Sequence, residues 1–486
     1  MEMSSVPSSL SYALNRVNSV SINSFQINST SASSVLANSQ IRFLLPTSGM
    51  LDFKTLRLHF AVELTEGAVN GGARLPAGIK HLFNRVQVQV GGVTIAQGTN
   101  FFGVQEDAVS IVSDKPPSLV SEHGEMVTEY DYAGTHITAS NTAGSEKYAT
   151  GLGKNSTLFS IDLGDVAKIS PRIVPLDLMG QVEIIFFTAP NSVLSAVKGK
   201  DPTGSTDAMT LSNSNTSPTY TITKASLVAN MYSLEDGAFS MAVASRIRDT
   251  GFVEMCFPQH LAFSQAWNGS ARFALSAMSL NKLHALWRRN TGTYAFATVG
   301  GAIPVAGSAT KALDDGPRYP WQGAIAAEQG SARFRGRVQH FSAPTANPGH
   351  NDSVEDGTAL DYGAADVTEP LKLQYKINSA QVPNFQANQS QWAELTKWAN
   401  NVDKLDCQST VEYLFNKFVI SYPLELPHNA WEPKTISGLD TRATSTFITL
   451  EGTGNVNVSS QYDVLILAEV STLVRVGAGK SLEVLM

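Results

Sequence analysis

A few groupings in this 486-residue sequence combine residue types and spacings that chemistry could use. Gly479-Lys480-Ser481 copies the end of a phosphate-binding loop, where lysine reaches the phosphates and serine holds magnesium. Such a loop needs a glycine at position 474, which is Val474, and a helix after the serine, so a plain turn in a terminal hairpin is the better reading. Glu122, Glu125, Glu129 and Asp131 form an acidic run beside His123 and His136, a composition suited to proton transfer. No apolar pocket is implied around them, and an exposed loop between strands accounts for the run. The nine histidines (His59, His81, His123, His136, His260, His284, His340, His350 and His428) never form the His-x-x-x-His pair of a helical zinc site. Cys256 and Cys407 stand at neither a metal-type nor a redox-type spacing and read as buried free thiols. A nucleophile elbow, Gly-x-Ser-x-Gly, does not occur. The sequence therefore nominates no catalytic, cofactor-binding or metal-ligating residue, and reads as a protein that is not an enzyme.

The composition points the same way. Net charge is −7 with a pI near 5.8, which argues against a chain whose main task is gripping a phosphate backbone. Residues 1–40 carry one arginine, Arg16, and one acid, Glu2, and so lack the basic arm of a protein that condenses nucleic acid. Arg333, Arg335 and Arg337 alternate on what reads as a short exposed strand, better suited to solvent or a neighbouring subunit than to nucleic acid. Charged residues make up 16%, against roughly 25% in an average soluble domain. Ser, Thr, Asn, Gln and Gly must then cover much of the surface, which suits lasting protein contacts. No run of ~18 apolar residues occurs, and the first thirty residues lack the pattern of a signal peptide, so synthesis inside a cell is expected.

Whatever the chain does must be positioned by strands. Leu56, Leu58, Phe60, Val62 and Leu64 alternate with Arg57, His59, Ala61 and Glu63, the period of a half-buried strand. Val86, Val88 and Val90 alternate with glutamines, Gly91-Gly92 supplies a turn, and Val93 and Ile95 resume the pattern, which predicts a tight hairpin. Further strands are predicted at 158–163, 182–188, 219–223 and 225–233, with a short helix near 104–112. The same grammar returns at 252–257, 271–277, 283–287, 373–377, 418–422, 447–450, 464–470, 473–476 and 482–484. One helix is predicted over 390–400, capped by Asn388 or Ser390, with Trp392, Leu395 and Trp398 assigned to a common core-facing side. At 486 residues the chain exceeds one hydrophobic core, and two antiparallel β domains are expected to meet near residues 235–250. Between the strands near 286 and 373 lies a long Gly/Ala/Ser/Pro/Asp-rich stretch, an exposed insertion in the second domain. A faint repeat sets Arg42-Phe43 and Leu56-Arg57-Leu58 against Arg272-Phe273 and Leu283-His284-Ala285-Leu286.

In order and pattern the chain resembles the double jelly-roll major capsid proteins of DNA viruses, the adenovirus-hexon lineage, and stands nearest to Polinton-like viruses and virophages. The resemblance is carried by Leu82 through Gly92, similar to the first-domain hairpin, by Ile377 through Pro383 in the second, and by Ala468-Glu469-Val470 to Val484, similar to the closing strand pair. It implies an all-β fold of two tandem antiparallel eight-stranded jelly rolls with few short helices. Residues 1–20 would be an N-terminal arm, 21–240 the first jelly roll, and 241–486 the second, with a loop insertion at about 290–370. It also implies a structural role in the virion: pseudo-hexagonal homotrimeric capsomers of an icosahedral shell. The partners would be copies of itself, neighbouring capsomers, penton and minor capsid or cement proteins, with no sequence-specific nucleic acid binding and with room for a membrane beneath the shell. Because fold alone does not settle function, a carbohydrate-binding or carbohydrate-active jelly roll and a spike or tail protein stand as alternatives.

Overall fold

Period-two burial organises the chain into stacked antiparallel sheets. In a computed structural model, the described residues are 20–65, 71–74, 79–98, 100–113, 157–193, 195–198, 219–234, 238–289, 341, 343–344, 370–407, 413–414, 417–426, 437–442, 446–456 and 462–485. The first half contributes β1 (Val20–Asn28), β2 (Ser34–Leu36), β3 (Gln40–Leu44), β4 (Met50–Asp52), β5 (Arg57–Thr65), β6 (Gly71–Arg74), β7 (Phe83–Val90) and β8 (Val93–Ala96). Helix α1 (Phe102–Ile111) follows, then β9 (Thr157–Asp162), β10 (Ile173–Pro175), α2 (Leu176–Met179), β11 (Val182–Thr188), β12 (Ser195–Lys198) and β13 (Thr219–Leu234). After α3 (Ala238–Thr250) come β14 (Phe252–Ala266), β15 (Ser270–Ala274), β16 (Leu280–Arg289), β17 (Lys372–Ile377) and β18 (Ala380–Asn388). Helix α4 (Gln389–Asn400), β19 (Val419–Pro423), β20 (Phe447–Thr453), β21 (Tyr462–Gly477) and β22 (Leu482–Leu485) complete the described elements.

The two halves repeat one strand order. A four-stranded sheet runs β3-β11-β7-β8 in the first and β15-β20-β17-β18 in the second. The facing sheet places β1 and β2 beside β13, then β5 and β9; its counterpart runs β14-β21-β16-β19. Successive strands thus switch between two packed antiparallel sheets, which is the jelly-roll winding. The first half adds β4 and β10 to this plan and the second adds β22. The faint sequence repeat marks equivalent places: Arg42-Phe43 lies in β3 and Arg272-Phe273 in β15, each at the end of its four-stranded sheet. Phe43 and Phe273 are both buried.

Apolar alternation explains the cores. Phe60 on β5 meets Phe83 on the facing sheet edge-on at 5.2 Å, and Phe83 meets Phe186 at 5.5 Å. In the second half Trp392 of α4 is fully buried, donates from Nε1 to the Leu373 carbonyl at 3.0 Å, and packs edge-on against Tyr375 at 5.8 Å. The α4 start is a capping box: Asn388 accepts from the Gln391 N–H, and the Gln391 side chain accepts from the Asn388 N–H, both at 2.9 Å.

Several sequence expectations are corrected here. The pairs of short strands expected at 219–223 and 225–233, and at 464–470 and 473–476, are single long strands. In β13 the apparent break is a bulge between Thr223 and Ser226, where Lys224 adopts φ 55°. In β21 the interrupting Ser471 and Thr472 are buried, and each is satisfied across the sheet: Ser471 Oγ accepts from Asn281 Nδ2 at 2.8 Å, and Thr472 Oγ1 accepts from Gln259 Nε2. Strand β14 continues past Pro258, which an edge strand tolerates because its missing N–H need not pair. Helix α3 escaped prediction because its described side chains, 243–250, are half-buried or exposed and show no apolar stripe. Trp398 is 63% exposed rather than in the core. Six residues advance about 240° around a helix, so Trp398 cannot share the side of Trp392; Thr396 and Ala399 complete the buried stripe instead.

Trp392→Ala should therefore destabilise the protein by about 3–5 kcal/mol, whereas Trp398→Ala should stay within about 0.5 kcal/mol of the parent. Urea denaturation followed by tryptophan fluorescence and circular dichroism distinguishes the two.

Candidate functional site

The two halves meet through shared cores rather than a simple linker. Met255, Phe257, Val474 and Val476 of the long strands β14 and β21 are buried with the first-half core, while Val104, Ala108 and Ile111 of α1 are buried with the second. Ser170 and Cys256 exchange backbone hydrogen bonds at 2.9 and 2.7 Å, and Phe53 meets Phe257 edge-on at 6.4 Å.

A concentrated set of ionisable side chains lies at this seam. It is organised by the 3-10 turn Gly164–Lys168. Gly164 holds φ +57°, and a Cβ there would lie 2.6 Å from Glu106 Oε1 and 2.9 Å from Phe102, so a side chain would push the turn off α1. Asp162 Oδ1 accepts the Gly164 N–H at 2.9 Å, and Lys80 Nζ bridges Asp162 and Glu106 at 3.0 Å each. Asp165 is the hub. Its Oδ2 accepts from the His260 backbone N–H at 3.1 Å and from Gln105 Nε2 at 2.8 Å, and lies 2.7 Å from His260 Nδ1. Lys168 Nζ, half-exposed, approaches Oδ1 at 3.3 Å.

Burial and charge pull these groups in opposite directions. Burial alone would raise the Asp165 carboxyl, but the charges of His260 and Lys168 override it and hold it well below the usual carboxylate range. Burial works against a charged His260 as well, yet Asp165 lifts its pKa. Glu106 is pushed up by burial, only partly offset by Lys80, while at Asp162 burial is outweighed by Lys80 and the Gly164 N–H, so its pKa falls. Beyond His260, the ring of His284 lies 5.8 Å away; burial and the neighbouring His260 charge push it down to about 3. Its Nδ1 is 2.7 Å from Ser421 Oγ. Chemically this arrangement is a charge-paired latch between two sandwiches.

The residues singled out in the sequence lie elsewhere. Gly479-Lys480-Ser481 forms the turn between β21 and β22, with Gly479 at φ 68° and Lys480 at φ 62°, and runs into a strand. Cys256 is buried, Cys407 is half-buried, and no disulfide joins them. Glu122, Glu125, Glu129, Asp131, His123, His136, Arg333, Arg335, Arg337, His340, His350 and His428 fall outside the described residues. Sequence reasoning missed the grouping of Asp165, His260, His284 and Glu469, because each residue arrives on a different element and no local spacing joins them.

The duplicated strand order makes this fold a double jelly roll, the architecture of a class of virus-shell subunits. Among solved structures the chain is similar to one from the PBCV-1 virus capsid, with TM-score 0.51 and 14% identity over 96% of each chain. It is also similar to one from the Sputnik virophage, with TM-score 0.50 and 9% identity over 96% of this chain and 88% of that one. The Faustovirus major capsid protein matches at TM-score 0.50 and 11% identity, over 94% of this chain and 90% of its own. No protein-family model and no curated protein sequence matches the chain. At these identities the likeness is one of fold.

Removing the hub should unlock the seam. Asp165→Ala leaves His260 buried without its carboxylate and should cost about 3–5 kcal/mol, whereas Lys168→Ala, at a half-exposed ion pair, should cost about 1 kcal/mol or less. Because the Asp165 carboxyl is held low, its contribution is present above its ordinary value of 3.8 and is lost as pH falls through that value toward the depressed native one. Asp165→Asn should accordingly flatten the acid limb of a stability-against-pH curve measured by thermal unfolding.

Proposed function

We propose that this chain is the major structural subunit of an icosahedral DNA virus shell, built as a homotrimer whose six jelly rolls approximate a hexagonal tile. The observation that carries the reading is the duplicated strand order, β3-β11-β7-β8 with β15-β20-β17-β18 and their two partner sheets, matched over 96% of the chain by a structure from the PBCV-1 virus capsid. Two similar sandwiches per chain make a six-cornered tile when three chains meet, and a closed ring leaves no interface unsatisfied. The sparse charge, 16% of residues, supports broad contacts between copies. So do large apolar side chains left exposed on the first sandwich, with Ile22 at 60% and Phe25 at 43% on β1 and Leu36 at 62% on β2.

In this reading residues 1–20 are an arm, 21–240 the first jelly roll and 241–486 the second, and the insertion at about 290–370 faces outward on top of the trimer. Further partners are neighbouring capsomers, penton and minor capsid or cement proteins, and the subunit is made in the host cell before entering the virion. A membrane beneath the shell is compatible with it.

Native mass spectrometry or light scattering should find three copies of the 52.0 kDa chain, with larger assemblies as conditions favour shell contacts. A monomer that persists at high concentration, or a dimer that never becomes a trimer, overturns the proposal. Limited proteolysis of the trimer should cut first within 290–370; earlier cleavage in the 86–90 strand would remove the outward-loop assignment.

A further inference from the structure

His260 in β14, Glu469 in β21 and His284 in β16 stand on one face of three adjoining strands. Register puts them there: His260 lies opposite Glu469, and His284 lies opposite Leu467, two residues along β21 and so on the same side as Glu469. One ring nitrogen of each imidazole and one carboxylate oxygen of Glu469 lie within 4.8 Å of one another. His260 is 3% and His284 4% exposed, and the Glu469 side chain is 18% exposed.

A second observation points into this cluster. His260 Nδ1 is engaged by Asp165, yet Nε2 on the far side of the ring is buried without a hydrogen-bond partner among the described residues. A buried polar nitrogen left unmet has lost its water without compensation, which asks for an occupant. With Nδ1–H donating to Asp165, Nε2 is the position where an ion would replace the second proton that Asp165 otherwise favours on this ring; His284 is held through its own Nδ1, 2.7 Å from Ser421 Oγ. A carboxylate or hydroxyl on the outer nitrogen is how proteins fix the tautomer and aim of metal-ligating imidazoles.

We propose that His260, His284 and Glu469 form a binding site for one divalent transition-metal ion of the Zn2+ class, with Asp165 as the outer partner of His260 and water in the fourth position. Donor atoms about 2.0–2.2 Å from such an ion sit about 3.4 Å apart in a tetrahedron, so the three side chains close by about 1.4 Å at most from the 4.8 Å span. Glu469 and Asp165 together supply the two negative charges that match the ion. Lys282 Nζ, 3.9 Å from Glu469, and Lys168, on Asp165, are the opposing charges, and both lie at the partly exposed rim. The ion ties β14, β16 and β21 into one unit and, through Asp165, ties that unit to the first sandwich. Its role is structural, and the site is independent of the shell reading because its test needs no assembly.

The full-length protein, stripped with chelator and dialysed against Zn2+ and then metal-free buffer, should retain one Zn2+ per chain by elemental analysis and unfold several degrees higher than the stripped form. Co2+ in place of Zn2+ should give the intense visible bands of a four- or five-coordinate ion. His284→Asn and Glu469→Gln should lose the ion and the thermal shift, while His59→Asn keeps both. Retention of metal by both site variants would mean an adventitious ion only and would overturn the proposal, as would a stripped protein that takes up none. Should the variants fail to fold, the Co2+ spectrum of the parent decides: weak bands of a six-coordinate ion refute the site.

Discussion

Fifteen residues of β14 pair without interruption with β21, from Phe252 opposite Gly477 to Ala266 opposite Asp463. This ribbon is longer than one sandwich requires. Its middle and far end form the β14-β21-β16-β19 sheet of the second jelly roll. The near end, with Met255, Phe257, Val474 and Val476, is buried in the core of the first. Apolar burial on this scale, about 1.5–3 kcal/mol for each large side chain, holds the halves in a fixed relation that a flexible linker would not provide. Helix α1 reciprocates by packing Val104, Ala108 and Ile111 against the second core.

Polar chemistry at the seam follows from that geometry. The ribbon carries His260 past the Gly164–Lys168 turn, and Asp165 meets both its backbone N–H and its ring. A buried carboxylate is tolerable here because Gln105, His260 and Lys168 surround it. Apolar surface supplies the attraction between the sandwiches, and the Asp165 hydrogen bonds select one alignment among those that apolar contact alone would allow.

The parts of the fold legible in the sequence were those written in local periodicity. Val86 to Ile95 announced a hairpin because alternation and Gly91-Gly92 lie within a dozen residues, and the capped α4 was visible from Asn388 and Trp392. The long strands were misread where a polar residue interrupted the alternation, as at Ser471 and Thr472, whose hydrogen-bond partners Asn281 and Gln259 are about two hundred positions away. Trp398 misled because two successive three-residue steps were taken as one helix face, when six residues turn it about 240° from Trp392 and toward solvent. The seam cluster was invisible for the same reason as the long strands: His260, His284 and Glu469 are neighbours through sheet register, and Asp165 joins them through the packing of its turn against β14.

The interlocking of the two cores also governs the order of events on the ribosome. Val474 and Val476 complete the first jelly roll, yet in the chain they come after the whole of β14 to β20. A nascent first half consequently lacks part of its own interior and stays open at that end until β21 emerges to pair with β14. Contacts this distant in sequence are slow to form, so neither sandwich reaches its final shape as an isolated fragment. The face where the first sandwich meets the second is therefore finished only when β21 has paired with β14, so a chain cut short before β21 leaves that part of the first core uncovered.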